Sequence, residues 1–222
     1  MEDRFRFGRN RVFLTTALLL GLSVMVGCQS GLATAMWLIK GPNMPAEYDC
    51  MDEKKVAVVC RAVDFSSFNY HNAPKELSRR VSMLLTQNGS KIEVIEQRKV
   101  DEWMDNNSWN EYIEVGRALD ADIVLGIDLE RFSIYEGQTL YQGKANVTIK
   151  TYDCESGELL VDKPLPQSVY PPNSAKPTSD LQESEFCREY LAVLADEIGR
   201  HFYPHDPRAN FAADAAAMQQ QH

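Results

Sequence analysis

Positive charge is scarce in this 222-residue chain, which has 23 lysine and arginine residues against 32 acidic residues and a formal net charge of −9. An acidic surface repels both the phosphate backbone of nucleic acids and the headgroups of anionic lipids. The composition therefore argues against nucleic-acid binding and against broad electrostatic docking on membranes. The ordinary consequence of such a charge is solubility.

The chain also lacks the short motifs that carry common catalytic chemistry. It has no G-x-S-x-G nucleophile elbow, no P-loop, no H-E-x-x-H metal motif and no paired C-x-x-C. His201, His205 and Asp206 form the best metal-like group, but Pro204 lies between the two histidines, which favours a polar helix end. We therefore predict that the protein is not an enzyme and that it uses no cofactor and no metal.

Cysteine is sparse, with five residues in the chain. Apart from Cys28, which is treated below, they are Cys50, Cys60, Cys154 and Cys187. Four cysteines in an oxidising compartment allow three complete disulfide pairings. Small buried thiols are the alternative, because Cys60 ends an apolar strand and Cys187 lies beside an apolar helix face. The sequence leaves open whether any of them pair.

The start of the chain carries a targeting signal. Residues 1–11 hold four arginines against two acids, and Val12–Val26 is uncharged and rich in leucine, alanine and valine. A positive flank, a short apolar run and small residues at a cleavage site are features of a secretory signal peptide. The run ends in Val26-Gly27-Cys28, which resembles a bacterial lipobox, where the cysteine becomes the first mature residue and carries the lipid. We predict a signal peptide over residues 1–27 and lipidation of Cys28.

Two alternatives to the lipoprotein interpretation remain open. Apolar character resumes after Cys28, so that Val12–Ile39 reads as one uncleaved helix, longer than the roughly 20 residues that a bilayer core requires. The other alternative is a plain cleaved signal with an incidental cysteine. All three interpretations place the folded part outside the cytoplasm. With a lipidated cysteine, Gln29 stands where an aspartate would indicate inner-membrane retention, which favours the outer membrane, with the domain facing the periplasm.

The remaining chain predicts one folded domain over residues 54–204, after a tether over residues 28–53 and before a flexible tail over residues 205–222. The continuous apolar run Val56–Cys60 is typical of a strand that is buried on both faces. The strongest strand pattern is Asp122–Ile134. Two helices are indicated by apolar residues at helical spacing. The first has Leu77, Val81, Leu84 and Leu85 on one face, and the second has Phe186, Tyr190, Leu194, Ile198 and Phe202.

The order of the predicted elements is β-α-β-α-α-β-β-β-α. Early strands alternate with helices and late strands follow one another directly, a pattern that favours a mixed sheet. We therefore predict an α/β (α+β) fold with a mixed β-sheet of about five strands and helices packed on it.

The central third of the chain resembles a recurring pattern of bacterial envelope proteins. Ile92–Arg98 and Val115–Gly126 are similar to a strand ending in V-x-E-R that leads, through helices, to G-x-x-L-G-A-D-x-V-L-x-G. The pattern occurs in the curli secretion channel subunit, the N-terminal domain of the Tol translocation protein and lipoprotein activators of penicillin-binding proteins. The resemblance covers roughly Lys55–Val161, although Gln97 and Asp120 depart from the commonest residues. It implies this fold group and a role in scaffolding, secretion or partner activation, without catalytic residues.

Two residues of the pattern have a direct physical interpretation. Gly116 lets the third helix approach the sheet closely, because a glycine has no Cβ to separate the two backbones. The Asp122 carboxylate is suited to accept backbone N–H groups at the junction between this helix and the next strand. We predict a structural role for Asp122, not a catalytic one.

A proline-rich segment, Lys163–Asp180, predicts a long irregular excursion between the last strand and the last helix. Proline restricts the unbound chain, so docking of such a segment costs little conformational entropy. An aromatic side chain held among prolines is a suitable anchor for a partner. The predicted partner-binding residues are Val169, Tyr170, Pro171 and Pro172; the alternative is a disordered spacer.

These observations together predict a lipid-anchored periplasmic adaptor or scaffold protein that binds an envelope protein partner. One alternative is a structural subunit of an envelope oligomer, for which homo-oligomers are expected. The other is an enzyme that acts on envelope polymers, which would need a nucleophile or an acid pair in a cleft.

Overall fold

The structure is a computed structural model that describes residues 43–63, 70–89 and 91–207. The predicted signal peptide, Cys28 and residues 208–222 of the predicted tail lie outside the described residues. In the described part the strands are β1 (Lys55–Ala62), β2 (Glu93–Val94), β3 (Ile123–Glu136), β4 (Leu140–Asp153), β5 (Leu159–Pro164), β6 (Ser168–Tyr170) and β7 (Lys176–Pro177). The helices are α1 (Ala73–Asn88), α2 (Gln97–Asn106), α3 (Tyr112–Ala118) and α4 (Glu183–Gly199).

The strands form one mixed sheet in the order β2-β1-β3-β4-β5. Strand β1 pairs in parallel with β2 and with β3, whereas β3, β4 and β5 pair antiparallel as a meander. Parallel neighbours need a crossover, which α1 supplies between β1 and β2, and the pair α2 and α3 between β2 and β3. The predicted fold class and the predicted order of elements are confirmed, with β6 and β7 as additional strands.

The free side of the long strand β4 is paired by three short strands in succession. Strand β5 pairs with Thr148–Tyr152, β6 with Gly143–Ala145, and β7 with Leu140–Tyr141. The prediction of a wholly irregular excursion over Lys163–Asp180 is therefore wrong. Strand β4 has fourteen residues whose backbone groups need partners, and the proline-rich segment supplies them in pieces, because each proline removes a donor and interrupts the ladder.

Helices α1 and α4 cover one side of the sheet, which we call the sealed face. Its strands contribute Val58, Leu125 and Ile149, each with 0% exposure. Each helix buries most of the stripe that its spacing predicted: Leu77, Val81 and Leu85 from α1 and Phe186, Tyr190, Leu194 and Ile198 from α4. Leu84 is half-buried, and Phe202 is buried beyond the end of α4. Most of the apolar core lies on this side.

Helices α2 and α3 lie on the opposite side, which we call the open face. They cover the first half of the parallel strands, where Ala57, Val59 and Val124 are buried with Val100 and Val115 of the two helices. Further along, the β4 side chains on this side are half-exposed, at every second position from Gln142 to Tyr152. The open face is therefore apolar at one end and polar at the other.

The two residues singled out in the central pattern have the structural roles expected of them. A Cβ at Gly116 would lie 2.4 Å from Cys154 Sγ and 3.1 Å from Val124 Cβ, so α3 approaches the sheet closely at this position. The Asp122 carboxylate accepts a hydrogen bond from the backbone N–H of Lys55 at 2.8 Å. The donor belongs to the start of β1, so Asp122 ties two parallel strands together at their amino ends.

Residues 44–53, which the sequence places in the tether, pack on the domain. Met44 and His205 exchange backbone hydrogen bonds of 2.8 and 3.0 Å, and the His201 carbonyl accepts the N–H groups of Glu47 and Tyr48. Met51 is only 1% exposed. The folded unit therefore begins at Met44, because apolar side chains of this segment complete the core at the end of α4.

The four cysteines that the structure describes are all unpaired thiols. Cys60 and Cys154 are buried, and Cys50 and Cys187 are half-buried. Burial raises the pKa of each thiol, to about 11 for Cys154. Within the described ranges, no helix has both the length and the apolar character needed to cross a bilayer.

Candidate functional site

Two neighbouring hollows lie along the C-terminal half of α4. One, of about 520 Å³, lies between residues 44–47 and the end of the helix. The other, of about 390 Å³, lies between the helix and the segment that contains β6. Both are lined by Glu197 and His201, so we describe them together as the edge groove. Its remaining lining residues are Met44, Pro45, Ala46, Glu47, Leu165, Pro166, Gln167, Ser168, Val169, Pro172, Arg200 and His205.

The four predicted partner-binding residues divide between this groove and the core. Val169 and Pro172 line the edge groove. The ring of Tyr170 is half-buried and stacks on Tyr190 of α4, with a centroid distance of 6.3 Å and an interplanar angle of 6°. Pro171 is half-buried, and its carbonyl accepts a hydrogen bond from Gln142 Nε2 at 3.2 Å. Tyr170 thus fastens the segment to the helix, which leaves Val169 and Pro172 at the groove.

Glu197 is the half-buried carboxylate at which the two hollows meet. Burial raises the pKa of this carboxyl group, and the neighbouring Ser168 hydroxyl and the charge of Arg200 oppose the rise. No salt bridge joins Glu197 to another residue in the described part of the chain, whereas Arg200 pairs with Asp196. The edge groove therefore contains a carboxylate without a cationic partner of its own.

The other charged groups at the groove are paired with one another. The Glu47 carboxylate accepts hydrogen bonds from Lys163 Nζ at 2.5 and 2.6 Å, and its Oε2 atom lies 2.6 Å from His201 Nδ1. The bond from Lys163 lowers the pKa of Glu47. Burial lowers the pKa of His201, and its contact with Glu47 opposes this effect. This arrangement holds residues 44–47 against α4.

The residues of the metal-like group take part in separate contacts. His201 bonds to Glu47, and His205 Nδ1 lies 3.4 Å from the backbone carbonyl of Tyr203. Among the described residues, no group of three or more histidine, cysteine or acidic side chains is arranged to hold a metal ion. His201 lies two residues beyond the end of α4, as expected of a polar helix end, whereas His205 lies further on and bonds through its backbone to Met44.

A buried charge cluster on the open face was missed by the sequence analysis. The Asp128 carboxylate of β3 accepts hydrogen bonds from Arg61 Nε at 2.6 Å and from the Tyr112 hydroxyl at 2.7 Å, and it pairs with Lys150 Nζ at 2.9 Å. Burial alone would raise the pKa of Asp128, but these three bonds outweigh it and lower that pKa. The signal in the sequence is a lone aspartate inside an apolar strand, which must have partners when it is buried.

A third hollow, of about 960 Å³, lies at the amino ends of α1 and α4. Its acidic groups are bonded within the domain. Glu183 accepts hydrogen bonds from the hydroxyls of Tyr70 and Tyr135, each at 3.0 Å, and Glu76 pairs with Arg79 at 2.5 Å. The acidic groups of this hollow are therefore bonded to side chains of the described residues, Glu183 to two hydroxyls and Glu76 to arginine.

The fold is similar to that of solved structures of bacterial proteins. One is a PelC dodecamer from Paraburkholderia phytofirmans, with 14% identity over 72% of this chain and 96% of the other and a TM-score of 0.44. Another is lipoprotein GNA1162 from Neisseria meningitidis, with 11% identity over 65% and 96% and a TM-score of 0.41. A third is a minor lipoprotein from Acinetobacter baumannii, with 17% identity over 67% and 91% and a TM-score of 0.36.

Two of these three structures are described as lipoproteins. No protein-family model and no curated protein matches the chain.

Proposed function

We propose that the protein is a lipid-anchored periplasmic adaptor or scaffold that binds an envelope protein partner at the edge groove and catalyses no reaction. The observation that carries this proposal is the groove itself. It is an open hollow with apolar walls that include Val169 and Pro172, and its lining holds one carboxylate without a cationic partner. A concave apolar surface with a few polar groups is the usual form of a binding site.

A binding role is supported by the state of the reactive side chains. The four thiols are buried or half-buried with raised pKa values, whereas a nucleophilic cysteine requires a lowered pKa. The imidazole of His201 is bonded to Glu47, which itself pairs with Lys163. No observation in the described residues favours the alternative of an enzyme acting on envelope polymers.

Anchoring at Cys28 would keep the edge groove close to the membrane. The sixteen residue-to-residue steps from Cys28 to Met44 span roughly 55 Å at most, at about 3.5 Å per step. Because Met44 itself lines the groove, a partner at this site would lie within that distance of the lipid. We therefore expect a partner in or near the membrane. Gln29, which follows Cys28, favours the outer membrane.

The anchor is tested by Cys28→Ser. We expect the variant either to leave the membrane fraction or to accumulate as an unprocessed precursor, because the lipid can no longer be attached. The measurement is fractionation of cell envelopes together with the mobility of the protein on gels. Processing and fractionation identical to wild type would show that the chain is not a lipoprotein.

The binding site is tested by Val169→Ser. The control variant is Val63→Ser, because Val63 directly follows β1, is 52% exposed and is not among the lining residues of the groove. We expect Val169→Ser to reduce recovery of the partner from crosslinked envelopes while the melting temperature of both variants stays at the wild-type value. Tyr170 is not replaced, because its ring packs on α4 and its loss would change stability together with binding. Full recovery of every partner with Val169→Ser would contradict the assignment of the site.

A structural subunit of an envelope oligomer is the second candidate, and the outer edge of β5 favours it. Leu159 and Leu160 are 43% and 40% exposed on a strand that, among the described strands, pairs with β4 alone, so backbone and apolar groups are both available to another chain. The experiment is sizing of the purified protein in detergent, with Leu160→Lys as the variant. An oligomer that Leu160→Lys dissociates would support this candidate, and a monomeric wild type would remove it.

A further inference from the structure

We propose that the partner places a basic side chain, a lysine or an arginine, in the edge groove, where its cationic group pairs with Glu197. This inference rests on the proposed function and adds the chemistry by which the groove recognises its partner.

The first argument is the balance of charge at the groove. Glu47 is paired with Lys163, and Arg200 with Asp196, so these four side chains satisfy one another. Glu197 has no cationic partner among the described residues, although it is half-buried. A carboxylate that is partly removed from water is costly unless a cation compensates it. A cation that arrives with the partner would form its ion pair where solvent screening is weak.

The second argument is the shape and chemistry of the walls. Leu165, Pro166, Val169 and Pro172 line the same hollow as Glu197. Lysine and arginine carry aliphatic stems of three or four methylene groups that pack on apolar surface while the charged head reaches a polar group. A basic side chain therefore suits both the walls and the carboxylate. An acidic side chain would meet Glu197 and be repelled.

The state of Glu197 in the free protein agrees with this inference. Burial raises the pKa of its carboxyl, and the charge of Arg200, which is itself paired with Asp196, opposes this rise only in part. Pairing with a basic side chain would lower this pKa. The overall charge of −9 also attracts a basic partner from a distance.

The experiment uses the full-length anchored protein in cells, with a photo-crosslinking amino acid at Gln167, an exposed residue of the groove. Three backgrounds are compared: wild type, Glu197→Gln, and Glu185→Gln as a control on an exposed glutamate of the same helix. We expect the crosslink to fall roughly tenfold or more with Glu197→Gln, since loss of one member of a desolvated charge pair is costly, and to stay unchanged with Glu185→Gln. Mass spectrometry of the crosslinked peptide should find a lysine or arginine next to the contact.

A synthetic peptide of the mapped sequence then measures the pair directly. The peptide and a variant with norleucine in place of the basic residue are titrated into the purified protein. We expect the norleucine peptide to bind wild type at least roughly tenfold more weakly, and both peptides to bind Glu197→Gln equally. Equal binding of the two peptides to wild type would overturn the inference.

The outcomes separate this inference from the proposed function. A crosslink that persists in Glu197→Gln, or a contact peptide without a basic residue, overturns the pairing with Glu197 and leaves the binding site in place. The absence of any crosslink from Gln167 in wild type contradicts the binding site and with it the inference. Glu197→Gln is expected to melt at or above the wild-type temperature, because it removes a poorly compensated charge, so a lost crosslink is not explained by unfolding.

Discussion

The sealed face and the open face of the sheet are built from alternating residues of the same strands, but they bury different kinds of side chain. On β3, Leu125 faces α1 and α4, while Asp128, three residues later, lies with Arg61 and Lys150 on the other side. The sealed face is filled by aliphatic and aromatic side chains. The open face has a small apolar cluster at one end and a charge cluster where its helices stop.

Each face also carries a tyrosine ring that lies on a glycine. A Cβ at Gly143 would lie 2.4 Å from the Tyr190 ring on the sealed face, and one at Gly126 would lie 2.5 Å from the Tyr112 ring on the open face. The Tyr190 ring stacks with the rings of Phe132 and Tyr170, with centroid distances of 5.5 and 6.3 Å. The Tyr112 ring has Arg61 above it at 4.7 Å and donates its hydroxyl proton to Asp128.

The difference shows why charge is tolerated on one side only. The side chain of Asp128 is 6% exposed, but those of Arg61 and Lys150 are 36% and 25% exposed, so the two cations keep contact with water. A buried ion pair is stable only when its desolvation is limited and its hydrogen bonds are complete. Beneath α1 and α4 the same cluster would lose its water entirely. The partial helix cover of the open face is therefore what permits it.

The strongest test of the sealed face is Leu125→Ala. Leu125 has 0% exposure in the centre of the sheet, so we expect a loss of about 2–5 kcal/mol of unfolding free energy from the emptied core site. Urea unfolding followed by circular dichroism measures it. A midpoint that equals that of wild type would mean that this strand is not central and that the fold assignment is wrong.

The two glycines allow one substitution to be compared across the faces. Both Gly143→Ala and Gly126→Ala force a tyrosine ring to move, at about 1–3 kcal/mol. We expect Gly143→Ala to lie at the upper end of this range, since the Tyr190 ring is stacked against Phe132 and Tyr170. Gly126→Ala should lie at the lower end, since the Arg61 side chain over the Tyr112 ring is 36% exposed and can move with it. Thermal unfolding of both variants provides the comparison. A larger loss for Gly126→Ala would mean that the open face is packed as tightly as the sealed one.

The charge cluster is tested by Asp128→Asn, for which we expect a loss of about 1–2 kcal/mol at neutral pH from weakened charged hydrogen bonds. The pKa of Asp128 is lower in the folded chain than its usual unfolded value of about 3.9. Its contribution to stability is therefore present above about pH 4 and is lost as the pH falls through the lowered pKa. Urea unfolding at several pH values between 7 and 2 should show the variant and wild type converging in acid. A constant difference would exclude the ionised carboxylate as its cause.

The smallest effect is expected where the open face is uncovered. Thr148 is half-exposed and donates a hydrogen bond to the exposed Glu130 at 2.9 Å. We expect Thr148→Ala to change the unfolding free energy by less than about 0.5 kcal/mol, as for other surface positions. The adjacent Val147, which is 3% exposed on the sealed face, serves as the control in Val147→Ala. A loss above about 1 kcal/mol for Thr148→Ala would show that this half of the open face is packed.

Local features of the fold followed from the sequence because their signals are local. The apolar run Val56–Cys60 and the strand pattern Asp122–Ile134 correspond to β1 and β3. The spacing of Phe186, Tyr190 and the residues one turn apart after them gave the buried stripe of α4. Periodicity of 2 or 3.6 residues is a property of one segment, so neighbouring residues are enough to reveal it. The apolar segment that ends at Cys28 is also a local pattern, and its interpretation as a lipoprotein signal stays a prediction.

The arrangement of the candidate site depended on contacts that no local pattern contains. Arg61 and Asp128 are 67 residues apart in the chain and meet only because β1 and β3 pair in parallel with Arg61 opposite Asp128. The sequence pointed to Val169–Pro172, but the pairing of β6 with β4 decided that Tyr170 packs on α4 while Val169 lines the groove. The absence of a salt bridge to Glu197 among the described residues likewise results from which side chains the packing of α4 places beside it, because charges pair by distance in space and not by order in the chain.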